Sequence, residues 1–594
     1  MPTLRDLLEL RTAVPADLSE DGSTVLVNSD LGGTMQLYRQ RIGDGDLVQL
    51  TDLPEPATGF FLPGSDRILL LMDEAGNELE QLYVLDGEPG AVPEPLVVEP
   101  GFFHRSPVAT RDGRMLAYTS NRRNGADFDV YVRELDSGEE RLVFAPGGWC
   151  HLTGFSPDGE LLGVLRLTER SGDNDLHLVE VATGESFNAV PHDDDSEIGG
   201  PAWLSEGDAF LFATSVGRDT VAVARYDLAA RTWSYVIEAD WDLHCAIDDA
   251  GRNLLVGRNE DGYTRLELRD PRTLDVRREV ELPGRGVAAA YSFSRDGTRL
   301  AYHFTSALVP GDIWVCDTDT GASERVTTSP GAVAEDELVE PELHRFGSFD
   351  GESVPVFLYR PESDGPVPVV IMIHGGPEAQ LRPIFSPLAQ YFVTNGYAVA
   401  APNVRGSTGY GKRYEHLDDV RKRLDSVQDL AALQDWLAGV EGVDAATATL
   451  YGGSYGGYMV LAGLAFHPDR WAAGIEAVGV SSLVTFLENT APWRRKLRER
   501  EYGSLEHDRD FLHEVSPLTR VDEIRAPLFI IHGANDPRVP VGEARQIHAS
   551  LTDRGVPCEL NVYEDEGHGL KKLPNRLDAY PKAAAFLERV LPRG

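Results

Sequence analysis

Basic residues, and lysine above all, are what this chain has least of. Its 594 residues hold 96 Asp and Glu against 55 Lys and Arg, only six of them lysine, for a formal net charge of -41. A surface of that sign repels a phosphate backbone instead of steering it in, so nucleic-acid partners are excluded. Cysteine is nearly as scarce. The four present, Cys150, Cys245, Cys316 and Cys558, fit neither a metal-ligand spacing nor a disulfide framework. They read as buried thiols of a reduced compartment, with no metal and no cofactor called for. No run of about 18 apolar residues occurs, and Met1-Pro-Thr-Leu-Arg-Asp6 lacks the charged-then-apolar order of a secretion signal. A cytoplasmic protein off the membrane is the expectation.

What the chain does have is glycine, 59 residues of it, and the most informative glycines flank one serine. Residues 449–459 read Thr-Leu-Tyr-Gly-Gly-Ser-Tyr-Gly-Gly-Tyr-Met, placing Gly452 and Gly456 two positions either side of Ser454. A β-leaning run precedes this G-x-S-x-G pattern, and an apolar stretch suited to a buried helix follows it. A strand that turns abruptly into a helix presents the serine hydroxyl at an exposed apex, and only residues without Cβ fit close beside it.

A serine hydroxyl is a weak nucleophile at neutral pH. It needs an imidazole to take its proton and a buried carboxylate to orient that imidazole. Both follow in chain order. Pro527–Ile531 is a short apolar run leading into His532-Gly-Ala-Asn-Asp-Pro-Arg-Val-Pro540, which puts Asp536 in the loop at a strand's C-terminal end. Cys558–Tyr563 reads as another strand, followed by Glu564-Asp-Glu-Gly-His-Gly569, with His568 between two glycines. His532 precedes the acid and reads as structural, while His374, His467 and His548 have no acid in a comparable position.

The first half is repetitive. A polar turn opening a β-patterned run recurs seven times, from Glu20-Asp-Gly, Pro63-Gly-Ser, Arg111-Asp-Gly, Pro157-Asp-Gly, Ser205-Glu-Gly, Asp249-Ala-Gly and Arg295-Asp-Gly. The period of roughly 45 residues is that of four-stranded propeller blades. Second alternating runs ending in a turn, such as Asp129–Gly138 and Asp312–Gly321, supply the hairpins. These features predict a helical segment over 1–16 packing on the hydrolase, a seven-bladed β-propeller over 17–330 and an acidic, proline-bounded linker over 331–341. An α/β-hydrolase with a doubly wound, mostly parallel sheet then occupies 342–594. The acidic run Asp73-Glu-Ala-Gly-Asn-Glu-Leu-Glu80 is expected to be a solvated hairpin.

Within the last third, Val367–Ile373 is a buried strand and His374-Gly-Gly-Pro377 the loop after it. Backbone N–H groups there, with that of Tyr455, suit an oxyanion hole. Taken together, H-G-G-P, R-G-S-x-G-Y-G from Arg405, G-G-S-Y-G-G, N-D-x-R-V-P from Asn535 and D-E-G-H-G from Asp565 resemble the prolyl oligopeptidase family of serine peptidases, most closely its acylaminoacyl-peptidase-like branch. The resemblance spans nearly the whole chain. It implies Ser454, Asp536 and His568 as the triad and Tyr455 and Gly376 as oxyanion donors. It further implies Arg538 as holder of a substrate carbonyl and Val480, Phe486 and Trp493 as candidates for an apolar primary pocket. A propeller lying over the site and restricting it to short peptides is also implied.

The expected function is therefore hydrolysis of short peptides or aminoacyl amides, their N-terminus free or blocked, through an acyl-enzyme. An esterase or amidase acting on small acyl or aminoacyl compounds uses the same triad and stays open. More remote is a catalytically inert module in which the propeller captures partners. The partner is then a short peptide or aminoacyl substrate, and self-association into a homo-oligomer is left open.

Overall fold

The structure, a computed structural model, describes residues 2–591 apart from Asp44, Pro330 and Ala332. Ala332 of the expected linker, Pro330 before it and residues 592–594 therefore lie outside the described residues. Seven four-stranded antiparallel sheets follow one another, each made of consecutive strands, as in a seven-bladed propeller. The first blade comprises Ala13–Leu18, Thr24–Ser29, Gln36–Arg41 and Val48–Gln49, and the seventh Val287–Phe293, Arg299–Thr305, Asp312–Asp317 and Ser323–Arg325. The first strand begins ahead of position 17, because the innermost strand of each blade precedes the Asp-Gly turn and carries little pattern of its own.

Those turns explain the repeat. In the first blade Asp21 Oδ1 accepts from Ser19 Oγ at 2.7 Å and from the Ser23 N–H at 2.9 Å, which holds its carboxyl down to about 2. Asp112, Asp158 and Asp296 close the equivalent turns in the same way, each over a Ser or Thr two residues earlier. The next residue, Gly22 in the first copy, has φ +65°, which only glycine adopts freely.

Among the described residues no strand is shared between the first and last blades, so side chains, with a backbone bond from the Ala13 N–H to Gly311 O at 3.2 Å, close the ring. Ala13, Leu18, Val25 and Val27 pack against Ala301, Ile313 and Val315. Asp17 ties three blades: its carboxylate accepts from Ser292 Oγ at 3.0 Å and from the Phe61 N–H at 3.1 Å.

The eighth sheet, that of the last third of the chain, has eight strands. They are β1 (Glu342–Gly347), β2 (Ser353–Tyr359), β3 (Val367–Ile373), β4 (Ala398–Pro402), β5 (Val443–Gly453), β6 (Ala473–Ala477), β7 (Leu528–Gly533) and β8 (Cys558–Tyr563). Their order is β1-β2-β4-β3-β5-β6-β7-β8, parallel from β4 onward. This is the doubly wound sheet of an α/β-hydrolase. Helices α1 (Leu4–Leu8), α2 (Pro387–Thr394), α3 (Arg423–Leu437), α4 (Tyr455–Phe466), α5 (Pro492–Tyr502) and α6 (Leu573–Val590) carry most of the argument below. Leu430, Leu433, Val460 and Leu464 of α3 and α4 cover one face of the sheet. Leu4, Leu8, Phe392, Ala583 and Phe586 of α1, α2 and α6 cover the other. The short α1 is set by a capping box between Thr3 and Asp6.

In every blade the hairpin between the second and third strands faces the hydrolase. Contacts made there include Asp30 with Arg576, Asp219 O with the Lys412 N–H at 2.9 Å, Gly262 with Arg382 and Ala307 with Gln390. Among the described residues no helix is long and apolar enough to cross a membrane.

Asp17 supplies a test of ring closure. Burial pushes its carboxyl from 3.8 up to about 6, so the folded state retains a proton that the unfolded chain has lost between those values. Stability from this group is greatest below about pH 4, falls as pH rises to about 6 and stays low above, a penalty of at most about 3 kcal/mol. Asp17→Asn cannot ionise, but its amide leaves either the Leu18 N–H or the Phe61 N–H without an acceptor. Its thermal midpoint relative to that of wild type should therefore improve as pH rises from 5 to 7.5; a relative midpoint that worsens over that range would exclude this account.

Candidate active site

Strand β5 ends at Gly453 and helix α4 begins at Tyr455, leaving Ser454 alone in the turn with φ 57° and ψ −117°. A non-glycine residue there is strained by about 1–3 kcal/mol, and the Ser454 N–H donating to Ala477 O at 2.8 Å helps hold it. The flanking glycines are required by space. A Cβ at Gly452 would stand 2.4 Å from Gly456 O, and one at Gly456 would stand 2.3 Å from Ile373 O.

The three candidates for nucleophile, base and acid meet. His568 Nε2 lies 3.0 Å from Ser454 Oγ, and His568 Nδ1 lies 2.8 Å from Asp536 Oδ2. The other Asp536 oxygen accepts from the N–H groups of Arg538 at 2.8 Å and Val539 at 3.0 Å, so the buried carboxylate is fully engaged. His532 is turned elsewhere. Its Nε2 is 2.8 Å from Val539 O, and burial lowers its pKa, keeping it a neutral buttress of the acid loop.

The His374–Pro377 loop runs beside the nucleophile: a Cβ on Gly375 would be 3.3 Å from Ser454 Cβ. Gly376 has φ +134°, and among the described residues no protein acceptor takes its N–H. The Tyr455 N–H is at the first position of α4, where a helix leaves donors unpaired. The residues behind these two donors gave no signal in the sequence. Tyr455 OH donates to Asp418 Oδ2 at 2.9 Å, lies 2.8 Å from Ser426 Oγ and receives Arg423 Nη1 at 3.1 Å. Arg423 is wholly buried between Asp418 and Glu501, and Arg498 Nη1 donates to Gly376 O at 3.1 Å.

The apolar candidates separate. Val480 and Phe486 are buried in the hydrolase core with Tyr455 and Tyr502. Trp493, at the start of α5, meets propeller aromatics instead, its ring centroid 5.6 Å from Phe103 and 5.5 Å from Trp149. The three do not form a single pocket wall.

The acidic run Asp73–Glu80 is not a solvated hairpin. It lies in the second blade's hydrolase-facing loop, and Gly76 approaches so closely that a Cβ there would stand 2.4 Å from Gly567 N. Asn535 Nδ2 donates to Ala75 O at 3.2 Å, and Arg538 Nε donates to Glu78 Oε1 at 2.6 Å. Positive φ at Ala75, Gly76 and Glu78 gives the run its tight path. The sequence hid this because a docked acidic loop and a solvated one have the same composition. Burial raises the Glu80 carboxyl to about 7 with Arg105 nearby, and among the described residues no hydrogen bond or ion pair takes it. Arg494, buried beside Arg498 and Arg538, is pushed down to about 9.

Comparison with known proteins matches residues 383–593 to the Prolyl oligopeptidase family and residues 61–329 to the Prolyl oligopeptidase, N-terminal beta-propeller domain. Dipeptidyl aminopeptidase BIII of Pseudoxanthomonas mexicana is 28% identical over 549 residues, 89% of this chain and 79% of that protein. A prolyl endopeptidase of Elizabethkingia miricola is 21% identical over 579 residues, 92% and 79% of the two chains. Among solved structures, a Mycobacterium tuberculosis puromycin-hydrolyzing peptidase superposes with a TM-score of 0.86 at 21% identity, covering 100% of this chain and 96% of that one.

The crowding at the serine turn gives a direct test. Gly456→Ala forces a Cβ onto the carbonyls of Ile373 and His374, 2.3 and 2.9 Å away. It should slow labelling by a fluorophosphonate at least ~100-fold, the scale of losing one oxyanion donor. Labelling at the wild-type rate would show that the turn has room to spare.

Proposed function

Since the chain belongs to the prolyl oligopeptidase family and is a serine peptidase, we propose that Ser454, His568 and Asp536 carry its chemistry, and that it trims short peptides from a free amino terminus. His568 Nε2 takes the Ser454 proton as Oγ attacks the scissile carbonyl. Asp536 keeps the Nδ1–H tautomer and stabilises the imidazolium that forms. The N–H groups of Tyr455 and Gly376 receive the oxyanion, His568 protonates the departing amine, and water then releases the acyl group by the same steps in reverse. The propeller hairpins over the site favour short, flexible substrates.

The observation that carries the amino-terminal preference is Glu80. It is a partly buried carboxylate on the loop docked beside the site, without a bonded partner among the described residues and two positions from Glu78, whose Oε1 is held by Arg538. A substrate ammonium satisfies such a group, and a charge-assisted hydrogen bond is worth about 1.5–3 kcal/mol. The similarity to a dipeptidyl aminopeptidase supports this reading. A second reading, a blocked amino terminus, is favoured by the aromatic cluster of Phe103, Phe128, Trp149 and Trp493 with the Arg105 guanidinium over Trp149. Arg538, its Nε taken by Glu78, has its terminal nitrogens left for a substrate carbonyl in either reading.

Free aminoacyl, free dipeptidyl and N-acetyl-aminoacyl chromogenic amides separate the two. Wild type should turn over a free-amine amide and Ser454→Ala none of them. Glu80→Gln should raise KM for the free-amine substrate ~10-fold or more while leaving any N-acetyl turnover unchanged. Preference for the N-acetyl amide would transfer the assignment to the blocked terminus.

A pH consequence follows from the raised Glu80 carboxyl. It is ionised above about 7 and neutral below, so its attraction for an ammonium fades as pH falls through that value. KM for the free-amine amide should rise between pH 8 and pH 6, and Glu80→Gln should flatten the profile. An unchanged slope in the variant would remove Glu80 from the site.

A further inference from the structure

The fourth blade reaches the hydrolase by a loop between strands Leu161–Leu167 and Asn174–Glu180. Its tip is seated. Ser171 is 7% exposed, and Gly172, with φ +64°, lies so near His416 that a Cβ there would stand 2.9 Å from the ring. Arg500 of α5 holds the loop's backbone, donating to Thr168 O at 3.3 Å and Asp173 O at 3.2 Å.

At this tip the Ser171 hydroxyl lies 2.7 Å from Glu501 Oε2 and 3.1 Å from Glu378 Oε1. Each carboxylate leads to a different oxyanion donor. From Glu378 the path runs to Arg498, whose Nη2 donates to Glu378 Oε2 at 3.1 Å and whose Nη1 donates to Gly376 O at 3.1 Å. From Glu501 it runs to Arg423, which is paired with Glu501 Oε1 and donates to Glu501 O at 2.9 Å and to Tyr455 OH at 3.1 Å. Glu501, Arg423 and Asp418 are almost completely shielded from solvent, so a loosened contact there is not made good by water.

We propose that Ser171 is a positioning residue: its hydroxyl, supplied by the propeller, couples seating of the fourth blade to the placement of both oxyanion donors, Gly376 and Tyr455. The inference rests on the proposed roles of those two residues. When the propeller is displaced, Glu378 and Glu501 lose their shared donor, and the arginines that steady the His374–Pro377 loop and the Tyr455 ring lose a fixed partner. The hole is then imperfect where the oxyanion forms, through residues that take no part in the triad hydrogen bonds. The propeller is thereby part of the catalytic apparatus as well as its cover.

The test uses the full chain with Ser171→Ala, Ser171→Thr and, as a control on the same loop, the exposed Glu169→Ala. On the preferred amide, Ser171→Ala should lower kcat about 5- to 30-fold with KM within twofold, less than the 10²–10³-fold expected for outright loss of a donor. A peptide boronate, whose tetrahedral adduct occupies the hole, should bind Ser171→Ala weaker by the same factor. A substrate-like peptide lacking the reactive group should bind as to wild type. Ser171→Thr should recover most of kcat, and Glu169→Ala should match wild type. A kcat for Ser171→Ala within twofold of wild type, or equal weakening of boronate and unreactive peptide, overturns the proposal. If Ser171→Ala does not fold, failure of Ser171→Thr to separate from Ser171→Val in kcat overturns it equally. Active wild type that ignores the boronate, together with an active Ser454→Ala, would instead sink the assignment of the site itself, and this inference with it.

Discussion

The turn from β5 into α4 is so crowded that a methyl group two residues either side of Ser454 would meet backbone carbonyls. That crowding is what the rest of the site is built around. It forces Ser454 into a backbone conformation side chains avoid, places its hydroxyl at the C-terminal ends of the parallel strands, and leaves the Tyr455 N–H unpaired at the start of a helix. The loops after β3, β7 and β8 then have only short distances to cover. They bring the His374–Pro377 backbone, Asp536 and His568 to the same point.

The propeller meets this apparatus through its second-to-third-strand hairpins and through links between blades that carry Glu55 and Asp194, and many of the contacts are polar. Ion pairs such as Arg538–Glu78, Lys412–Asp194 and Arg576–Asp30 join the halves, and one aromatic cluster around Trp493 adds apolar contact. These pairs are partly buried, and each sets a Coulomb gain against the desolvation of its charges, so the net hold of any one is small. A junction held by many weak polar contacts can part and close again without exposing a large apolar face, as a site beneath a propeller requires.

Much of this was legible in the sequence, for identifiable reasons. The turns repeat because each needs a positive-φ glycine, and in four of the seven an aspartate before it accepts from the turn's hydroxyl and N–H, so the blades announce themselves. Ser454, Asp536 and His568 stood out because each sits in a glycine- or proline-bounded loop immediately after an apolar strand. What composition cannot convey is which end of a propeller faces its neighbour. The acidic run Asp73–Glu80 therefore looked like solvent-facing charge, although three of its backbone positions are bent to seat it on the loops at Asn535 and Gly567. Arg423 and Arg498 were silent for a related reason: a buried arginine and an exposed one have the same place in a helical pattern, and what distinguishes them is burial against carboxylates such as Glu501 and Glu378, distant in sequence. Val480, Phe486 and Trp493 share one apolar segment but point into two environments, because α5 begins between Phe486 and Trp493 and turns Trp493, its second residue, toward the propeller.

The lysines, so few in number, are distributed in a telling way. None lies before Lys412, so the propeller carries no side-chain amine. Of the six, Lys412, Lys571 and Lys572 reach across to Asp194, Asp73 and Glu55 on the propeller. Half of the ε-amines in the molecule thus mark the seam between its two halves, Lys412 and Lys572 largely covered and Lys571 about half exposed while those halves are together. Amine-selective chemistry on this protein, whether a cross-linker, an acylating reagent or a resin, is in effect chemistry on the hydrolase alone, and its yield is a gauge of how far the seam stands open.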